Sequence, residues 1–137
     1  MLTFAAQHAD IVSINANLRD GTGGPETAPN MSPERTREKV EWVREAAGSR
    51  FDLIELNALI GFVMITDDAD SIAEAMAPHF GIGVDEARHV PGILLGTLDE
   101  MIEEVQWRRQ EYGISYWSIE ADSWEALGPV VGKLSGT

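Results

Sequence analysis

Short apolar, β-branched runs alternate with longer segments of helical periodicity along this chain, and that alternation restricts the fold more than any other feature. Residues 2–9 (LTFAAQHA) are helix formers without Gly or Pro. Residues 11–14 (IVSI) follow as a β-branched run closed by Asn15-Ala16-Asn17, the pattern of a buried parallel strand. Ser32-Pro33 opens a helix over 33–47, with Ser suited to the N-cap, Pro to the first helical position and Gly48 to the C-terminal stop. Residues 52–65 (DLIELNALIGFVMI) are expected to form one long strand with a bulge at Gly61. Asp67, Asp68 and Asp70 then stand at a helix N-terminus, where carboxylates oppose the helix dipole. That helix carries Ile72, Ala75, Met76 and Phe80 and ends at Gly81, and a short helical turn is expected at 84–89 before Pro91. Thr97 and Glu100 make a capping box for a helix bearing Leu98, Met101, Ile102, Val105 and Tyr112 on one face. Strand 114–119 (ISYWSI) follows, and then a helix over 123–134, capped by Asp122 or Ser123 and carrying Trp124, Leu127, Val130, Val131 and Leu134.

The expected order is α-β-α-β-α-α-β-α, an α/β fold. Strands separated by helices imply right-handed crossovers and a parallel sheet. Three strands make a small sheet with unpaired edges. A closed (β/α)₈ barrel takes about 250 residues, whereas this chain has 137. The chain also enters a helix at its first residues, and the expectation is a partial barrel in a single domain.

Charge and composition exclude several classes. With 23 Asp and Glu against 10 Lys and Arg, the net charge is −13. Phosphate backbones and anionic membrane surfaces are repelled by such a field. The acids are dispersed, with no like-charge run beyond pairs such as Glu103-Glu104, as on an acidic solvated surface. The absence of Cys removes disulfide frameworks and Cys-ligated metal. No apolar run reaches the length of a membrane span, and the start lacks a secretory pattern. A cytoplasmic location is expected.

Few residues point to chemistry. His8, His79 and His89 have no zinc-type spacing to one another or to a carboxylate, so no metal site is expected. The stretch Thr66-Asp67-Asp68-Ala69-Asp70 lacks the remainder of a calcium loop, and helix capping accounts for it. Residues 18–31 form a loop containing DGTGGP at 20–25. A phosphate cradle needs its glycines at a strand-to-helix turn, whereas these lie mid-loop, so a plain loop is expected. Trp107, Tyr116, Trp117 and Trp124 fall at core spacing. In parallel α/β folds the site lies beyond the carboxyl ends of the strands. That rule selects Asn15 and Asn17 after the first strand, Thr66 and Asp67 after the second, and Glu120 after the third. Asn15 and Asn17 are preferred, because their amides both donate and accept.

Several segments resemble the C-terminal half of luciferase-like flavin or deazaflavin oxidoreductases, in particular the group that uses coenzyme F-420. They are MLTFAAQHADIVSINANL, SPERTREKVEWVREAAGSRFDLIELNAL, ITDDADSIAEAM, LLGTLDEMIEEVQWRRQEYGISYWSI and EALGPVV. The LLGT-x-[DE] start of the helix at Thr97 is the most specific of these. The resemblance implies the last three or so β/α units of a TIM barrel, with coenzyme F-420 or FMN lying across the strand ends. It implies Asn15 and Asn17 as cofactor-facing residues and assigns no catalytic acid or base. The Gly-rich phosphate contact of the family and its N-terminal half have no counterpart in these residues. Little or no cofactor binding by this chain alone is therefore expected. The exposed strand edges and sheet face of a half barrel favour a homo-oligomer. A small acidic binding module is the alternative reading.

Overall fold

The computed structural model describes residues 1–16 and 27–137, and its strand pairings are all parallel. In chain order the elements are α1 (Leu2–His8), β1 (Ile11–Ser13), α2 (Pro33–Ala47), β2 (Glu55–Ile60), β3 (Phe62–Ile65), α3 (Ala69–Phe80), α4 (Val84–Ala87), β4 (Ile93–Gly96), α5 (Leu98–Tyr112), β5 (Ile114–Ile119) and α6 (Trp124–Leu134). Single 3₁₀ turns stand at Ala28–Met31, Gly48–Leu53 and Ala121–Ser123. The chain is an α/β protein with a parallel sheet in the order β1-β2-β5 and a second parallel pair, β3-β4.

The expected single strand over 52–65 is corrected by this arrangement. Asp52 and Leu53 belong to a 3₁₀ turn, and the extended segment divides at Gly61. The amides of Gly61 and Phe62 both donate to the Gly92 carbonyl, at 3.0 and 3.1 Å. There the strand exchanges one set of partners for another: β1 and β5 flank β2, whereas β4 pairs with β3. A Cβ on Gly92 would meet the far end of the flexible Met31 side chain. The strand at β4 was not expected. Its four residues, Ile93-Leu94-Leu95-Gly96, are all buried, and a fully buried run has no alternation to betray it. Residues 17–26, most of the expected loop over 18–31 and all of DGTGGP, lie outside the described residues; Ala28–Met31 is a 3₁₀ turn rather than open loop.

Helix boundaries follow their caps. The Ser32 side chain accepts from the Arg35 amide at 3.2 Å, and Pro33 occupies the first turn. The Thr97–Glu100 capping box forms in both directions. At α3 the capping differs from expectation. Asp68 occupies the N-cap position without a side-chain capping bond, and Thr66 Oγ1 instead accepts from the Asp68 amide at 3.0 Å. Nor does Ser123 cap α6 with its side chain.

One face of the β1-β2-β5 sheet carries Val12, Leu56, Ala58 and Ile114, packed on Ala6 of α1, Val40 and Val43 of α2 and Tyr112 of α5. Farther along the same face, Ile60 meets Met101 and Val105 of α5 and Leu127 and Val130 of α6. A separate cluster under α3 joins Ala69, Phe80, Val90, Ile93 and Leu95. Two aromatics expected in the core are exposed. Tyr116 lies on the opposite face of the sheet, and Trp124 begins α6 beyond the packed stripe; their exposures are 45% and 63%. Val131 is likewise exposed. No helix among the described residues is long and apolar enough to cross a membrane.

Candidate functional site

Strand alternation sets the opposite face of the sheet. In register, Ser13 stands beside Asn57, and Asn57 beside Tyr116. These residues, with Ile11, Glu55, Leu59 and Ser118, alternate with the helix-covered positions. The polar members are joined across the strands. Ser13 Oγ donates to Asn57 Oδ1 at 2.8 Å. Asn57 Nδ2 donates to Ser118 Oγ at 3.1 Å and to the Tyr116 carbonyl at 3.2 Å. Asn57 is buried and needs these partners, since an unsatisfied buried amide costs about 1–3 kcal/mol. The apolar members Ile11, Leu59 and Tyr116 remain exposed.

At the carboxyl end of β1, Asn15 takes the place of a ladder residue. Its Oδ1 accepts from the Leu59 amide at 3.0 Å, which extends the β1–β2 hydrogen bonding past the end of the strand. This bond fixes the orientation of the amide, so Nδ2 is the end presented as a donor. The Asn15 carbonyl accepts from Lys39 Nζ at 3.0 Å. Lys39 also donates to Asn30 Oδ1 at 2.8 Å and to the Asn30 carbonyl at 2.6 Å. The ammonium is thus buried among three oxygens, tying the end of β1 to the 3₁₀ turn that precedes α2. Burial, reinforced by the positive charge of Arg35, pushes the Lys39 pKa down from 10.5 to about 8.

The other positions selected from the sequence do not join this cluster. Thr66 and Asp67 follow β3 and belong to the start of α3, where the Thr66 hydroxyl is engaged with Asp68. Glu120 is exposed and precedes the 3₁₀ turn after β5. Asn17 lies outside the described residues. His8 is exposed and packs on Phe4, and His79 is exposed in the last turn of α3. His89 proves more connected than its sequence context implies. Its Nδ1 donates to Glu104, 2.9 Å from Oε2, and its ring stacks on Trp107 with centroids 4.0 Å apart. Glu104 in turn accepts from Arg108 Nε at 2.6 Å. Arg108 is fully buried and donates to the carbonyls of Arg88, Pro91 and Ile93. Burial draws the Arg108 pKa down, while Glu104 opposes that shift. Four acceptors make this group a clamp between α5 and the segment entering β4. No cluster of three or more potential metal ligands occurs among the described residues.

Lys39, Asn57 and Arg108 were missed by the sequence reading, although each left a signal. Lys39 falls on the same helical stripe as Thr36, Val40 and Val43. Asn57 interrupts an otherwise apolar run, where a polar side chain must find partners. Arg108 continues the spacing of Met101 and Val105 toward Tyr112 on the buried face of α5.

Asn15, Ser13, Asn57 and Ser118 are neutral groups that donate or accept hydrogen bonds without changing charge. Such an arrangement binds and orients, and carries no proton itself. The Asn57 amide is engaged at both ends, and Asn15 presents Nδ2 as a donor. A phosphate fits less well here, because the buried cation Lys39 already serves three oxygens. Comparison with protein-family profiles, curated proteins and solved structures finds no match to this chain.

Proposed function

We propose that the chain forms the C-terminal wall of a luciferase-like (β/α)₈ barrel, an oxidoreductase that uses coenzyme F-420 or FMN. The observation that carries this reading is the sheet face bearing Ser13, Asn57, Tyr116 and Ser118, opposite the helices. All-parallel sheets are covered on both faces, and a barrel covers the second face by closing on itself. β1 and β2 are consecutive parallel neighbours, as successive barrel strands are, whereas β5 pairs with β2 across the intervening β3 and β4. The sequence resemblance names the family and the cofactor class.

In this reading Asn15 lies on the rim of the pocket and presents its amide to the ring of the cofactor. Lys39 is a positioning residue that holds the Asn15 backbone. The bound ring supplies the hydride chemistry, and the protein orients it. Titration with FMN and with coenzyme F-420, followed by proton–nitrogen correlation NMR, tests the assignment. The expected result is little or no binding by this chain alone, with the Asn15 side-chain amide among any signals that move at millimolar cofactor. Micromolar affinity for either cofactor, or shifts that spare that amide, would overturn it.

The same face favours a second reading. Ile11, Leu59 and Tyr116 are exposed together on a sheet that ends in open edges, and such surfaces promote pairing between copies. A homo-oligomer that covers the face with a second copy needs no cofactor.

A further inference from the structure

We draw no further inference here: the strongest candidate, the apolar groove lined by Ile60, Leu94, Val105, Leu127 and Val130 between β5, α5 and α6, keeps its Arg109 Nε and Trp117 Nε1 donors buried out of a ligand's reach, and nothing in the structure shows what covers it.

Discussion

Replacing Arg108 by Met removes the clamp between α5 and the entry to β4 while keeping a side chain of similar reach. The guanidinium is 0% exposed, and Glu104 beside it is 12% exposed. Its loss strips the carbonyls of Arg88, Pro91 and Ile93 of a donor and leaves Glu104 with His89 alone. Removing one partner of a buried ion pair costs about 3–5 kcal/mol, and three under-satisfied carbonyls at about 1 kcal/mol each give a loss of the same size. Against a typical total of about 5–15 kcal/mol, the variant is left marginal. With a urea slope of about 2 kcal/mol/M, a loss of about 4 kcal/mol lowers the unfolding midpoint by about 2 M. Urea titration followed by tryptophan fluorescence reads this directly. Arg108→Lys keeps the charge but not the planar fork, and its midpoint should fall between the two. The double variant Arg108→Met, Glu104→Gln should lose less than the sum of its parts, by at least about 1 kcal/mol. A midpoint for Arg108→Met within about 0.5 M of wild type would refute the clamp, as would additivity in the cycle.

Lys39 makes stability depend on alkaline pH. Its folded pKa is depressed from 10.5 to about 8, so between those values the unfolded chain holds more protons. The stability of wild type relative to Lys39→Met should therefore rise from pH 8 to 10.5, by at most about 1.4 kcal/mol per pH unit, and level off above. Urea midpoints of both proteins across that range check the sign; a flat or falling difference contradicts it. The exposed sheet face predicts a solution mass of at least twice the 15.0 kDa chain, returning to the monomer on Leu59→Lys with Tyr116→Lys. A monomeric wild type by light scattering at micromolar concentration removes the self-association reading.

Local signals in the sequence located most elements. Caps that act within one turn, such as Ser32-Pro33 and Thr97–Glu100, gave correct helix starts because their partners are only three residues away. Features that depend on distant chain did not announce themselves. The break at Gly61 is made by the Gly92 carbonyl, and β4 exists because β3 offers it an edge. At the candidate site, Asn15 was accessible from its place after a β-branched run. The network around Asn57 was not, because it joins Ser13, Tyr116 and Ser118 through pairings 44 to 61 residues apart. The Asp cluster before α3 looked like a set of caps, yet a threonine hydroxyl takes the bond to Asp68.

The exchange of partners at Gly61 also bears on the order of assembly. The β3-β4 pair joins residues such as Phe62 and Ile93, whereas β2 must meet one strand from far upstream and another from far downstream. Closing the shorter loop costs less chain entropy, and contacts distant in sequence form more slowly. The segment from β3 through β4 is thus suited to fold early. Once formed, it anchors one end of β2 as a template whose two edges are then filled by β1 and β5. Slowing at Gly61 or Gly92 would delay the whole sheet, although neither residue lies inside a strand.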